Sequence, residues 1–236
     1  MKPFKFKQFT IQQDQCAMKI GTDAVLLGAW ANIDNNPFSI LDIGSGTGII
    51  ALMLAQRSNA ELIDAIEIDD NAHEQCVTNF ENSPWGDRLF CYHASLEEFV
   101  KDIEDKYDLI VSNPPFYSSD YKSGNEQRDI ARFEDALPFG HLIESASKLL
   151  SDDGKFTVII PFQEEDKLIA LASEVSLFPN RILRVKGNQE SDIKRSLLEF
   201  SFNKIDMKIS ALIIETERHQ YTQDYINLTK DFYLKM

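Results

Sequence analysis

The sequence predicts an α/β fold in which helices flank a mainly parallel β-sheet. From residue 40 onward, short apolar runs alternate with helical stretches, and this alternation is typical of strands joined by crossover helices. The 236 residues contain no internal repeat, low-complexity tract or dividing linker. We therefore expect one domain, with an N-terminal hairpin and helix (1–35) covering a ligand pocket, a core (36–204) and a C-terminal extension (205–236).

Seven apolar runs are predicted to be core strands, and five segments between them to be helices. The strands are Ser39–Ile43, Leu62–Ile68, Leu89–His93, Tyr107–Ser112, Lys155–Ile160, Asn180–Val185 and Ser196–Asn203. The helices are Gly48–Arg57, Asn71–Asn79, Leu96–Asp102, Phe139–Leu150 and Glu164–Ser173, the last two shortly after a proline. Outside the core we expect a hairpin over Phe9–Ile20, a helix over Thr22–Ala31 capped by Thr22 or Asp23, a strand over Lys208–Glu215 and a weak helix over Asn227–Leu234.

Composition and charge argue against several classes of function. No apolar run approaches the roughly 18 residues needed to cross a bilayer, and the start MKPFKFKQF lacks the apolar stretch of a signal peptide, so we expect a cytoplasmic protein. Three cysteines without CxxC spacing and four scattered histidines predict neither disulfides nor a metal site. The net charge of −14 argues against non-specific binding of nucleic acid. Two local basic segments remain, formed by Lys2, Lys5 and Lys7 and by Arg181–Lys186.

A glycine-rich loop stands between the first core strand and the helix that follows it. Residues 40 to 50 read ILDIGSGTGII, in which Asp42 is followed by Gly44, Gly46 and Gly48. Glycines at such a junction let a ligand approach backbone amides at a helix N-terminus. The third glycine comes one residue too early for a dinucleotide fingerprint and no Walker lysine follows, so NAD and ATP are poor fits.

This loop resembles motif I of the class I S-adenosylmethionine-dependent methyltransferases, in which an acid precedes G-x-G-x-G. The resemblance implies S-adenosyl-L-methionine as cofactor and a Rossmann-like fold, a seven-stranded, mostly parallel sheet with one antiparallel strand near an edge. It also implies that Glu67, at the end of the next strand, binds the ribose hydroxyls, with Asp69 as the second choice. Where this family usually presents an acid to the adenine amine, the chain has His93-Ala94-Ser95. A backbone amide or the Ser95 hydroxyl is the candidate there.

The segment Asn113-Pro114-Pro115-Phe116 follows the fourth core strand. Its two prolines fix φ and remove two backbone donors, and the first of them keeps Asn113 extended. In the same family, N-P-P-[FYW] at this place marks methyl transfer to a planar exocyclic or amide nitrogen. The resemblance implies that the Asn113 side-chain oxygen and the Pro114 carbonyl accept hydrogen bonds from an adenine amine beside the cofactor, and that Phe116 stacks on the base. Because the sulfonium carries an activated methyl group, no metal is expected.

Three substrate classes share this motif. Release-factor glutamine methyltransferases carry a helical domain ahead of the cofactor motif, and too few residues precede Asp42 for one. DNA adenine methyltransferases usually carry a separate target-recognition domain, for which too few residues remain after the fifth strand. A compact RNA adenine methyltransferase is the third class and fits best.

The segment Met18–Trp30, together with NPPF and the ending Phe232-Tyr-Leu-Lys, resembles the tRNA(Val) adenine-N6 methyltransferases. Members of this family modify the adenine beside the anticodon (position 37). The resemblance implies that Gly21, Thr22 and Asp23 help to close the cofactor pocket, although helix capping would also explain the last two residues.

The predicted partner is a structured tRNA, recognised through its anticodon stem-loop. Candidate RNA contacts besides the two basic segments are Lys122, Arg128, Arg132, Phe133 and Arg195. Two other hypotheses stay open. The same chemistry would suit ribosomal RNA or a protein glutamine, and a non-catalytic RNA-binding scaffold could use the same fold. Loss of Asn113 or of the glycines would mark such a scaffold, and all of them are present. The sequence makes no prediction of oligomeric state.

Overall fold

The structure, a computed structural model, describes residues 2–16, 18–115 and 137–236. The strands in these ranges are β1 (Phe4–Lys5), β2 (Thr10–Ile11), β3 (Ser39–Ile43), β4 (Leu62–Glu67), β5 (Leu89–His93), β6 (Tyr107–Ser112), β7 (Leu150–Pro161), β8 (Phe178–Lys186), β9 (Ile193–Ser201), β10 (Lys208–Ile213), β11 (Glu215–Glu217) and β12 (Gln220–Tyr221). The α-helices are α1 (Thr22–Trp30), α2 (Ile49–Arg57), α3 (Asp70–Glu81), α4 (Leu96–Asp102), α5 (Phe139–Leu149), α6 (Glu165–Glu174) and α7 (Gln223–Thr229).

Eight strands form the central sheet, in the order β10-β8-β9-β7-β6-β3-β4-β5. Strand β9 runs antiparallel to both of its neighbours, and the other neighbouring strands are parallel. The predicted mainly parallel sheet with one antiparallel strand near an edge is confirmed. The predicted number of seven strands is one too low, because Lys208–Ile213 pairs with β8 along its whole length. The pattern of residues 208–215 predicted a strand but not its partner.

The order of the strands reverses between β3 and β6. Strands β4 and β5 are added on one side of β3, and β6 then returns to the other side. In open α/β sheets, ligands bind in the crevice outside the carboxyl ends of the strands at such a reversal. Strand β3 leads into the glycine-rich loop and β6 leads into Asn113, so both sequence motifs leave the sheet at this point.

Helices cover both faces of the sheet and pack there on two hydrophobic clusters. Helices α1, α2 and α3 pack on the face that includes Ile40 and Val111, whereas α4, α5 and α6 pack on the face that includes Leu41 and Ile110. Successive strand residues point to opposite faces. Because both faces are covered, a central strand such as β3 is buried at every position, and three of its five residues are apolar.

The hairpin predicted over Phe9–Ile20 is wrong. Strand Thr10–Ile11 instead pairs with Phe4–Lys5, upstream of it. Phe6 then bridges to Tyr233, and the Lys7 ammonium donates to the carbonyl of Lys230 at 2.5 Å. The two ends of the chain are therefore joined.

The last helix begins earlier than predicted, because Thr222 caps it. The Thr222 hydroxyl accepts a hydrogen bond from the Tyr225 N–H at 3.2 Å, and the helix spans Gln223–Thr229 instead of Asn227–Leu234. In the part of the chain that the structure describes, no helix combines the length and the hydropathy needed to cross a bilayer.

Candidate functional site

The glycine-rich loop after β3 has an open side. Gly44, Gly46 and Gly48 have φ values of 72°, 54° and 76°, in the left-handed region that favours glycine. A Cβ atom on Gly44 or Gly46 would meet nothing within 4 Å, so these two residues border open space. A Cβ atom on Gly48 would lie 2.5 Å from the Phe80 ring and 2.8 Å from the Cys76 sulfur. Gly48 is therefore needed for packing against α3, and Gly44 and Gly46 line a cleft.

The Glu67 carboxylate lies against this loop. Its Oε2 accepts a hydrogen bond from the Gly46 N–H at 2.8 Å, and its Oε1 accepts from the Ile68 and Asp69 N–H groups at 2.9 and 3.0 Å. The structure thus places Glu67 beside the glycine-rich loop, the two elements that we expected from the sequence to bind the same cofactor. Asp69, the second choice, caps α3 by accepting from the Ala72 N–H at 2.8 Å.

Asp42 lies beneath the loop and is fully buried. Its Oδ2 accepts a hydrogen bond from the Ala51 N–H at 3.2 Å, and its Oδ1 has no partner among the described residues. Burial raises the pKa of Asp42 to about 7, since removing a carboxylate from water disfavours its charged form. The hydrogen bond from Ala51 opposes this rise in the pKa of Asp42, and the nearby charge of Glu67 contributes to it.

The start of the NPPF motif is held beside the glycine-rich loop. Ser112 is paired with Ile43 in the sheet, and the Ser112 hydroxyl donates to the Ile43 carbonyl at 2.9 Å. Asn113 and Gly44 therefore follow paired residues on strands that lie about 4.8 Å apart. Pro114 is buried, and Asn113 and Pro115 are half-buried.

Phe116 lies outside the described residues, so its stacking role stays a prediction. The candidate RNA contacts Lys122, Arg128, Arg132 and Phe133 also lie outside the described residues.

Ser95 is used by the start of α4. Its N–H and its hydroxyl donate to Glu98 Oε2 at 3.0 and 2.7 Å, and the hydroxyl accepts from the Glu98 N–H at 3.2 Å. These bonds form a capping box, which stabilises a helix N-terminus. The contact of Ser95 with an adenine stays a prediction, and in this conformation both of its donors are occupied.

Ile68 is a residue at this edge that the sequence did not single out. Its side chain is 64% exposed, directly after Glu67, and its carbonyl lies 3.0 Å from His93 Nε2. An exposed apolar side chain beside Glu67 offers a surface for a flat ring. The sequence pattern predicted Ile68 as the last residue of a strand, but β4 ends one residue earlier, at Glu67.

The start of α1 is not capped by a side chain. Gly21 is the N-cap residue and Thr22 is the first helical residue, so the capping predicted for Thr22 or Asp23 is wrong. The Asp23 carboxylate is instead engaged by Arg195, with Arg195 Nε donating to Asp23 Oδ2 at 2.7 Å. Arg195, a candidate phosphate contact, thus lies against an acid.

Two of the three basic residues in the segment Arg181–Lys186 form ion pairs within the fold. Arg181 and Arg184 pair at 2.6 Å with the carboxylates of Glu199 and Glu165, both of which are buried. The role of these two arginines as candidate RNA contacts is therefore not supported, because their charge is offset by acids within the fold. The acidic partners come from other elements and could not be identified along the chain.

Comparisons with known proteins place this chain in a family. The sequence model of the methyltransferase small domain family matches residues 20–176. A tRNA1(Val) (adenine(37)-N6)-methyltransferase of Flavobacterium johnsoniae is 63% identical over 99% of this chain and 100% of its own length. A protein of the same name from Bacteroides fragilis is 46% identical over 99% of this chain and 98% of its own. The chain belongs to this methyltransferase family.

Solved structures of methyltransferases share the fold. An Agrobacterium tumefaciens protein described as a predicted O-methyltransferase has a TM-score of 0.72 at 20% identity, over 89% of this chain and 96% of its own. Ribosomal protein L11 methylase from Lactobacillus delbrueckii has a TM-score of 0.53 at 19% identity, over 75% of this chain and 76% of its own. These likenesses support the class I methyltransferase fold.

The methyl donor of this methyltransferase is S-adenosyl-L-methionine. The described residues fit this cofactor, because Gly44 and Gly46 border open space and Glu67 adjoins them. In the same described residues, no group of three or more His, Cys, Asp or Glu side chains is arranged to hold a metal ion.

Proposed function

We propose that this methyltransferase transfers a methyl group from S-adenosylmethionine to N6 of an adenine in tRNA. The proposed target is adenine 37 of tRNA1(Val), the base named for its relatives, read within the anticodon stem-loop. A role in tRNA modification also fits the cytoplasmic location that we propose.

One observation carries this proposal. The glycine-rich loop and Asn113 follow the paired residues Ile43 and Ser112 at the point where the strand order reverses. A ligand on the loop and an acceptor on Asn113 would therefore face the same small volume. The double proline supports a fixed direction for Asn113, because Pro114 keeps Asn113 extended and both prolines have a fixed φ.

The proposed cofactor-holding residues are those around the cleft. Glu67 would bind the ribose hydroxyls, and Gly44 and Gly46 would let the methionine part approach the backbone. When bound, the cofactor supplies an activated methyl group on its sulfonium. Asp42 and Gly48 shape the loop from beneath, the former through Ala51 and the latter through its contact with α3.

Asn113 and Pro114 would act on the amine of the target base. The lone pair of an adenine amine is delocalised into the ring, which makes it a poor nucleophile. The Asn113 side-chain oxygen and the Pro114 carbonyl would each accept a hydrogen bond from one N–H of this amine and so direct its lone pair toward the methyl group. Such positioning lowers the barrier because the reacting atoms are held in line. The base would be turned out of its stack to reach this edge, with Phe116 proposed as its stacking surface.

Methyl transfer from radiolabelled S-adenosylmethionine tests the substrate class. Unmodified total tRNA, ribosomal RNA and a glutamine-containing release factor are assayed in parallel. We expect label in tRNA that is recovered as N6-methyladenosine after digestion. Label in ribosomal RNA or in protein alone would contradict the tRNA proposal while leaving the nitrogen chemistry in place.

The substitution Asn113→Ala tests the proposed catalytic role. We expect kcat to fall about 100-fold, the loss typical of removing one hydrogen-bonding group that acts in the transition state. Cofactor affinity, measured by calorimetry, should change little, because Glu67 and the glycine-rich loop remain. Unchanged turnover by this variant would contradict the catalytic role proposed for Asn113. The non-catalytic scaffold hypothesis would instead be supported by a wild-type protein that binds the cofactor but shows no turnover with any of the three substrates.

A further inference from the structure

Two arginines stabilise the position of helix α1 by contacting its C-terminal end. The Arg181 guanidinium lies 4.3 Å from the centre of the Trp30 ring, a favourable cation–π distance. Arg57 Nη1 donates to the carbonyls of Gly28 and Ala31 at 2.8 and 2.9 Å. These contacts fix the end of α1 that lies away from Gly21–Asp23.

A third arginine, Arg195, contacts the start of the same helix. Arg195 Nε lies 2.7 Å from Asp23 Oδ2, and the two side chains are 34% and 27% exposed. Such a half-buried pair is better shielded from solvent than a surface pair, so it holds its geometry more firmly. The N-cap residue Gly21 has no side chain that could help to hold this end.

Arg195 lies at the edge of the sheet that carries the candidate site. It belongs to the antiparallel strand β9, whose beginning lies beside the carboxyl ends of β7 and β8. In the sheet register it is paired with Pro161 on one side and Val185 on the other. The ion pair thus ties Gly21–Asp23 to the edge from which Asn113 and the glycine-rich loop also emerge.

We propose that Arg195 is a positioning residue for cofactor binding. Through Asp23, it fixes residues 21–23 as a wall of the cofactor pocket. The Asp23 carboxylate then acts through its bond to Arg195 and is not itself a cofactor ligand. This inference rests on the proposed function. It also assigns Arg195 a role different from a contact with RNA phosphate.

Cofactor binding by paired variants tests this role. Dissociation constants for S-adenosylmethionine are measured by calorimetry for wild type, Asp23→Asn, Arg195→Ala and the double variant. We expect each single variant to bind about tenfold more weakly, a change within the range typical of coupled, partly buried ion pairs. The double variant should be no weaker than either single one, because both substitutions remove the same bond. The exchanged pair Asp23→Arg with Arg195→Asp should recover part of the affinity.

The matched control is Lys194→Ala, which removes one positive charge from the exposed neighbouring position. This variant should keep the wild-type cofactor affinity. For Arg195→Ala, KM for the cofactor should rise while the dissociation constant for tRNA and its salt dependence stay unchanged.

Three results would overturn the inference. Weaker tRNA binding by Arg195→Ala with a lower salt dependence and normal cofactor affinity would identify a phosphate contact. Weaker cofactor binding by Asp23→Asn but not by Arg195→Ala would make Asp23 a direct ligand. Unchanged affinity in all variants would show that the ion pair only stabilises the fold. Failure of the wild type to bind the cofactor would instead contradict the proposed function itself.

Discussion

The buried carboxyl of Asp42 makes the stability of this methyltransferase depend on pH in a defined direction. Its pKa rises from the ordinary value of 3.8 to about 7 in the folded protein, chiefly because of burial. A carboxyl whose pKa is raised by folding favours the folded state at low pH, and this advantage is lost as the pH rises toward the folded pKa. The substitution Asp42→Asn removes the charge, and its amide can still accept from the Ala51 N–H.

The size of the effect follows from the pKa. Between the two pKa values, each pH unit lowers the free energy of unfolding by about 1.4 kcal/mol. From about pH 5.5 to the folded pKa is about 1.5 pH units, which gives about 2 kcal/mol. Above that pKa the contribution is constant, because Asp42 is ionised in both states. The quantity of interest is the free energy of unfolding of Asp42→Asn minus that of wild type. This difference should be about 2 kcal/mol larger at about pH 8.5 than at about pH 5.5, because only the wild type loses stability over this range.

Urea unfolding of both proteins at the two pH values measures this difference. Other titrating groups are common to both proteins and cancel in the comparison. Thermal unfolding measures the same effect as the melting temperature of Asp42→Asn minus that of wild type. For a chain of this length, this difference should be about 4–8 °C larger at the higher pH than at the lower. A stability difference that is the same at both pH values would refute the reasoning, since it would mean that Asp42 is ionised throughout.

Further substitutions test the glycine-rich loop and the N-terminal segment around Gln12, which Asn79 links to that loop. Gly48→Ala should lower the free energy of unfolding by about 2–5 kcal/mol, from backbone strain plus overpacking against α3. Gly46→Ala, which has positive φ but open space, should cost only about 1–2 kcal/mol, and equal losses in urea unfolding would contradict this explanation. Asn79 is buried and donates to the carbonyls of Gln12 and Thr47 at 2.9 Å each. Asn79→Ala should therefore weaken cofactor binding as well as stability, and a calorimetric affinity equal to wild type would refute this.

The features that could be predicted from sequence are those set by neighbouring residues. The central strands β3 and β6 are largely buried and mostly apolar, and their bounds agree with the prediction to the residue. The glycine spacing and the double proline constrain the backbone locally, and for that reason both motifs could be assigned from the sequence alone. The resemblance to methyltransferases singled out Glu67, and the structure places it at the loop because β4 pairs with β3.

The features that could not be predicted depend on partners far away along the chain. Arg195 resembled a solvated or phosphate-binding residue, and its partner Asp23 is 172 positions away. Arg184 belonged to an apparent basic stretch, whereas the fold places it against Glu165 of α6. Ion pairs of this kind have no signature in a single sequence, because they are set by the packing of helices on the sheet.

The position of the methyl group in the RNA tests the central claim most directly. Transcripts of tRNA1(Val) with adenine or guanine at position 37 are incubated with the wild-type enzyme and S-adenosylmethionine, and the products are digested and analysed by mass spectrometry. We expect N6-methyladenosine in the adenine transcript, and no methylation when guanine replaces that one base. Equal methylation of both transcripts, or none of the adenine transcript by protein shown to bind the cofactor, would contradict the claim.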